Sequence, residues 1–544
     1  MRQGESKTQG TRDSATWGSK GGQGADLVLP DKRLGALVAS LTLALVLVLP
    51  AGAGAKAGPA NHSAYLPSQL RAAASANPTK QFRVIVEGRA KARDVKDAMA
   101  GQGKVRRTLR IVKGAALTLS GADVLRLARN PKIETITPDG RLEGTGWSSS
   151  DPNEWFRAVQ ADKLVNGPGS VRSAPTIAVI DSGIDPTKAL DFGGRLLAQV
   201  NLSSLDPAGL GDAFGHGTMV AGLAGGGSGS YPGAAPVSNL VSIKTANAAN
   251  ESLVSDVIAA TQWVLANKAR YNIRVVNLSL LSGTPSSFVH DPLDQAVEQL
   301  WFNGIVVVVS AGNLGGPMRM DYAPANDPFV ITVGATETKS TVSTSDDTVA
   351  PFSSYGRSWD GFAKPEVVAP GRYMVAPAPL GSSLAGLFPA NMVSPGYLRL
   401  SGTSFSAPVV AGAAAMILAR RPDWTPDQVK GALMATARSI AAGAPQGAAG
   451  AGSIAIEAAA KLSAPPNPNA SVNRFVVDDP ASGKKLFDGE RWAKAVLADP
   501  NWAADAAGQA WGSAWGSAWG SYAWGSAWGS AWGSAWGSVA SETS

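Results

Sequence analysis

Four short apolar runs, Thr176–Ile180, Val275–Leu280, Ile305–Val309 and Phe329–Val333, are each bounded by Gly, Asn, Asp or Ser. Runs of this length without polar alternation belong to strands covered on both faces, the habit of parallel sheets. Helical spacing fills the intervals, as at Leu253–Ala266 and Leu293–Phe302. The alternation predicts an open α/β fold, a doubly wound, mostly parallel sheet over about residues 150–462. Such a sheet builds its sites at the carboxyl ends of its strands.

Three segments set a reactive side chain among small neighbours. In Val179-Ile180-Asp181-Ser182-Gly183 a strand ends in a carboxylate, although an Asp after a strand is commonly only a turn or cap residue. In Gly215-His216-Gly217-Thr218 the flanking glycines leave an imidazole room to approach a ligand. The chain has three histidines; His62 lies in the leader and His290 in a polar loop, where neither has such a setting. In Ser401-Gly402-Thr403-Ser404-Phe405-Ser406-Ala407-Pro408 a serine opens an Ala-rich helix that runs to about Arg420. That position usually makes a cap. It also puts a hydroxyl beside free backbone N–H groups and the positive end of a helix dipole, which suits an oxyanion.

The order Asp, His, Ser is that of one serine-hydrolase arrangement among three unrelated ones. With the three signatures quoted above, and with Val309-Ser310-Ala311-Gly312-Asn313, Phe352-Ser353-Ser354-Tyr355-Gly356 and Val368-Ala369-Pro370-Gly371, the chain resembles the subtilase family. The resemblance implies a subtilisin-like serine endopeptidase, a hydrolase that cuts peptide bonds through an acyl-enzyme. It assigns Asp181, His216 and Ser404 to the catalytic triad and Asn313 to the oxyanion hole. Ser279, Leu280, Leu281, Ser310 and Gly312 fall on its substrate-binding segments. The chemistry requires no cofactor and no metal ligands. The family's calcium loop has no counterpart in Gly225-Gly226-Gly227-Ser228-Gly229-Ser230-Tyr231, which lacks the carboxylates calcium wants. Leu281 stands where the family usually has glycine, and Leu380 to Leu400 form a longer stretch than in short members.

The rest of the chain fits export and processing. Lys32-Arg33, an apolar run from Leu34 to Leu49 and the small residues up to Ala57 read as a signal peptide, residues 1–57; an uncleaved anchor through 34–55 is the alternative. Residues 58–79 read as a linker. Residues 80–145 carry a β-α-β-β-α-β pattern, a small ferredoxin-like split βαβ module. The family resemblance makes that module an inhibitory propeptide and folding chaperone, removed by self-cleavage between about Asp139 and Ser150. Past Ala464-Pro465-Pro466-Asn467-Pro468, residues 463–510 read as a linker and C-terminal region. Residues 511–538 repeat Ala-Trp-Gly-Ser, either a spacer or a means of contact with a surface, glycan, cell wall or protein.

Charge and cysteine usage narrow the partners. The formal charge of +7 arises from 23 basic and 11 acidic residues before position 146; from there on the chain carries 25 basic and 30 acidic side chains. A processed part with a net charge of −5 has no electrostatic footprint for nucleic acid. The expected partners are protein or peptide substrates and the chain's own propeptide, in a secreted setting. With no cysteine, disulfides, thiolate catalysis and Cys-bound zinc are all excluded.

Overall fold

The parallel sheet forms where the sequence runs apolar on both faces, and a separate small sheet precedes it. In this computed structural model the described residues are 64–498, apart from 91, 100–102, 144–153, 168–169, 187–188, 441–443 and 481–482. The leader, the chain between Glu143 and Asn153, and the Trp repeat lie outside the described residues.

The first module contains helix α1 (Ser68–Ala76), strand β1 (Gln81–Gly88), α2 (Ala92–Met99), β2 (Lys104–Leu109), β3 (Gly114–Ser120), α3 (Gly121–Leu127) and β4 (Ile133–Pro138). Its sheet has the order β2-β3-β1-β4, antiparallel throughout, as the split βαβ pattern predicts. Alternation along β1 serves two cores. Val84 and Val86 join Leu117, Leu119, Val124 and Ile136 inside the module, whereas Ile85 faces the core of the large domain. Helix α1 corrects the linker expected over 58–79: Leu70 and Ala74 are buried, and α1 packs on α3. A short strand, β5 (Arg141–Glu143), then leaves the module.

The large sheet takes β6 (Ala174–Asp181), β7 (Leu196–Asn201), β8 (Ser238–Lys244), β10 (Ile273–Leu278), β12 (Val306–Ser310), β13 (Ile331–Glu337), β14 (Thr348–Val349) and β15 (Val367–Pro370). The label β9 belongs to Glu251–Leu253 and β11 to Leu281–Ser282, both beside the site. The order is β14-β13-β12-β10-β6-β8-β7, with β15 also on β13; every pair is parallel except β13–β14. All eight residues of β6 are buried, which an apolar run covered by helices on both faces requires. The run expected at Val275–Leu280 ends as a strand at Leu278, because the next two residues leave the sheet for the site.

Helix α4 (His216–Gly225), α5 (Val254–Tyr271), α6 (Pro292–Phe302), α7 (Ser383–Leu387) and α8 (Thr403–Arg420) complete the layers. Helix α8 lies against α4, β6, β10, β12 and β13, so nearly all its residues are buried. Its apolar length also satisfies the composition of a membrane span, which the sequence reading did not single out; here it is the central core helix. Helix α5 carries Asp256 in its first turn and Lys268 and Arg270 in its last, each complementing the macrodipole, and ends on Asn272 at φ 51°. Its own N-cap, Leu253, supplies no side-chain bond. Asp139 of the first module does so instead, accepting from Ser255 N and Oγ at 3.0 Å each and from Arg106 at 2.6 Å.

The segment past Ala464 is no linker, a second correction. Strands β16 (Val476–Asp478) and β17 (Lys485–Phe487) form a hairpin, and α9 (Gly489–Ala498) returns to the large domain. Trp492 is 1% exposed, with ring centroids of Phe288, Phe362, Phe475 and Phe487 between 5.4 and 6.1 Å away. Aromatic pairs at such separations add to plain burial. Trp492→Ala, made in a Ser404→Ala background to prevent autolysis, is expected to cost about 3–5 kcal/mol. Urea unfolding checks this; an unchanged midpoint would show that the C-terminal segment is not part of the folded unit.

Candidate active site

Asp181 is the last residue of β6 and sits opposite Lys244 of β8, so its carboxylate lies at the carboxyl edge of the sheet. His216 opens α4 and is buried with it. The imidazole Nδ1 stands 2.8 Å from Asp181 Oδ1 and 3.0 Å from Oδ2, and the Ser182 N–H donates to the same Oδ1 at 2.7 Å. Gly217 makes this approach possible. A Cβ there would fall 2.1 Å from the Gly183 carbonyl oxygen, inside any permitted contact.

A residue that the sequence reading missed ties these segments together. Asp212 is buried and accepts from Ser182 Oγ (2.7 Å), Gly215 N (2.7 Å), Thr218 N (2.8 Å) and Thr218 Oγ1 (2.6 Å). Ser182 Oγ in turn accepts from Gly217 N at 2.9 Å. One carboxylate therefore holds the residue after Asp181 and both sides of His216 in register. Burial pushes the Asp212 carboxyl up, and those hydrogen bonds oppose the push. Its only signal in the sequence was an acid four residues ahead of a glycine-flanked histidine. The long stretch before the serine adds a further brace: Ser383 N donates to Ala213 O at 2.9 Å and Leu384 N to Phe214 O at 3.0 Å.

Ser404 is the second residue of α8 and is buried. The next residue, Phe405, puts its ring centroid 5.5 Å from that of His216, so the serine segment adjoins the imidazole. The Ser404 carbonyl accepts from Ser279 Oγ at 2.8 Å, and Asn277 Nδ2 donates to that hydroxyl at 2.9 Å. Asn313, past the end of β12, is oriented by Thr403. Both the N–H and the hydroxyl of Thr403 donate to Asn313 Oδ1 at 2.9 Å. The amide nitrogen is thereby turned the other way. Asn313 Nδ2 and His216 Nε2 are both buried and both lack a hydrogen-bond partner among the described residues. An unpaired buried polar atom is costly, and at a site it points to a partner still to come.

Of the other expected binding residues, Leu280 is buried and Leu281 half-buried where β10 runs on into β11. Ser310 ends β12, with its hydroxyl unpartnered among the described residues, and Gly312 follows at φ +100° with its N–H donated to Thr403 Oγ1 at 3.0 Å. Between Glu251–Leu253 and Leu281–Ser282 runs β5, antiparallel to both, with Glu143 opposite Leu281 and Glu251. Strand β5 thus fills the groove between them as the middle strand of a three-stranded sheet. His290 is no part of this site. It is half-buried, stacked on Tyr65 with centroids 4.3 Å apart.

Comparison with known proteins supplies the family and the fold. The model of the family described as "Subtilase family" matches residues 172–452. The chain is 37% identical over 290 residues to serine protease AprX of Bacillus subtilis (strain 168), covering 50% of this chain and 63% of that one. It is 32% identical to subtilisin NAT of Bacillus subtilis subsp. natto, covering 62% of this chain and 78% of the relative. The solved structure of fervidolysin from Fervidobacterium pennivorans shares the fold, with a TM-score of 0.57 at 21% identity over 71% of this chain and 62% of that one. The chain thus spans less than two thirds of AprX and of fervidolysin.

The histidines offer a direct check of the electrostatics. Burial pulls the His216 imidazole down, but the charge and hydrogen bond of Asp181, helped by Asp212, outweigh it and raise its pKa above the usual 6.5. Burial alone pushes His290 down to about 4. In the Ser404→Ala protein, NMR titration is expected to place the His216 imidazole above 6.5 and that of His290 near 4. Asp181→Asn should move the first below 6.5, because burial then outweighs the Asp212 charge that remains. A value unmoved by that change would mean that Asp181 does not govern the imidazole.

Proposed function

This chain belongs to the subtilase family, and we propose that it is an exported serine endopeptidase, made as a self-processed zymogen, that works through an acyl-enzyme. The observation that carries the reading is the buried Asp181–His216 pair, with its outer nitrogen unpartnered beside a helix that starts Thr403-Ser404 and orients Asn313.

Ser404 Oγ attacks the carbonyl carbon of the scissile peptide while His216 Nε2 takes the hydroxyl proton. The carbonyl oxygen becomes an oxyanion, received by Asn313 Nδ2 and the Ser404 backbone N–H. His216 then gives its proton to the leaving amine as the C–N bond breaks, leaving an ester on Ser404. Water, deprotonated by the same imidazole, attacks that ester and restores the hydroxyl. Asp181 holds the imidazole with Nδ1–H toward itself and stabilises the imidazolium in each half-reaction.

The first module acts as inhibitor and folding aid. Two features support this: β5 fills the groove in the manner of an extended substrate, and Asp139 caps a helix that has no side-chain cap of its own. The new N-terminus then arises between Asp139 and Ser150, and the leader through Ala57 accounts for export.

Treatment with diisopropyl fluorophosphate tests the reading. The expected result is one phosphoryl group on Ser404 with loss of peptidase activity, no labelling in Ser404→Ala, and accumulation of that variant as the unprocessed chain. Asn313→Ala should lower kcat by about 10²–10³, a figure that comes from subtilisin itself, a relative of this chain. Peptidase activity retained in Ser404→Ala would refute the assignment.

A further inference from the structure

The strands that flank Ser404 remain paired only as far as Leu278 opposite Val309. Beyond that register Ser279, Leu280 and Leu281 run toward β5, while Ser310 to Asn313 turn away through Gly312. A gap opens between the diverging ends. It adjoins the nucleophile from both sides, since Ser279 Oγ donates to the Ser404 carbonyl and Asn313 Oδ1 accepts from Thr403.

The register of β5 says which substrate residue reaches this gap. The chain in the groove runs antiparallel, with Leu142 opposite Ser282 and Glu143 opposite Leu281. A substrate that keeps this antiparallel register sets the residue two positions beyond the one facing Leu281 opposite Ser279, beside Ser404. That residue donates the scissile carbonyl, and the space open to its side chain is the gap between Ser279–Leu281 and Ser310–Gly312.

Leu281 already occupies much of that space. Its Cδ1 lies 2.6 Å from the point that a Cβ on Gly312 would take, so the isobutyl group rests on the Gly312 backbone and bridges the two walls. Ser354 Oγ stands 3.3 Å from the same point and closes the flank. Leu281 is packed against the main core as well, so it does not swing aside freely. Resting on the peptidase reading above, we propose that Leu281 makes the first specificity pocket shallow, selecting Gly, Ala, Ser or Thr at the residue before the scissile bond and rejecting aromatic and long aliphatic side chains. In the chain's own sequence the residue two places after Glu143 is Thr145, and nothing larger than threonine stands from 144 to 146.

The test uses the mature enzyme and tetrapeptide p-nitroanilides that differ only in the last residue: Ala, Thr, Leu or Phe. Active sites are counted with diisopropyl fluorophosphate, whose phosphoryl group needs no deep pocket. For the natural enzyme, kcat/KM with Ala is expected to exceed that with Phe by about tenfold or more, as pocket fit commonly gives about 10–200-fold. Leu281→Gly and Leu281→Ala should each shift the Phe/Ala ratio at least about tenfold toward Phe; the alanine variant controls for backbone freedom. A natural preference for Phe or Leu, or a ratio that both variants leave unchanged at full active-site titre, would overturn the inference while leaving the peptidase reading intact. Failure of Ser404 to label, together with no cleavage of any peptide, would overturn both.

Discussion

Thr403 does two jobs whose combination sets the geometry of the site. It is the first residue of the helix that carries Ser404, and its N–H and hydroxyl both donate to Asn313 Oδ1. Gly312 N–H closes the triangle by donating to the Thr403 hydroxyl. Each such bond is worth about 0.5–1.5 kcal/mol net, so the pair contributes about 1–3 kcal/mol against the flipped amide. At 1.4 kcal/mol per decade that holds the amide in one orientation by about 5:1 to 140:1. The end of a parallel strand and the start of the central helix are thus locked together, and Asn313 Nδ2, unpartnered among the described residues, is turned away from the Thr403 donors.

The other half of the site is tied by a different kind of bond. Asp181 and His216 come from a strand end and a helix start, and backbone packing alone would leave their relation loose. Asp212 removes that freedom by collecting four hydrogen bonds from the two segments. A carboxylate inside a protein is expensive unless its oxygens are satisfied, and here both of them are. The brace from Ser383 and Leu384 onto Ala213 and Phe214 holds the same loop from outside, which gives the long segment before the nucleophile a positional role.

Legibility in the sequence followed the physical origin of each feature. The large sheet was readable because burial on both faces leaves uninterrupted apolar runs, and the reactive residues because close packing around them demands small neighbours. Strand ends shifted where side chains turned to other work, as at Ser279, whose hydroxyl serves the Ser404 carbonyl. Helix Ser68–Ala76 was missed because it buries only Leu70 and Ala74, too little for a periodic signal. The C-terminal segment was missed for the opposite reason. Its stability lies in Trp492 meeting Phe288 and Phe362, partners more than a hundred positions away in the chain. Asp212 gave no signal beyond its place four residues ahead of His216, since an acid that organises backbone N–H groups looks like any loop acid until the loop folds.

The account stands on the claim that two unpaired buried nitrogens, the amide donor of Asn313 and the base of His216, converge on one tetrahedral centre bonded to Ser404. A crystal structure of the mature enzyme with a peptide boronic acid is the most direct test. The account predicts boron joined to Ser404 Oγ, one boronate oxygen about 2.7–3.1 Å from Asn313 Nδ2, and another boronate oxygen hydrogen-bonded to His216 Nε2. Boron attached to another residue, or an adduct on Ser404 with the Asn313 amide turned away from it, would contradict the account.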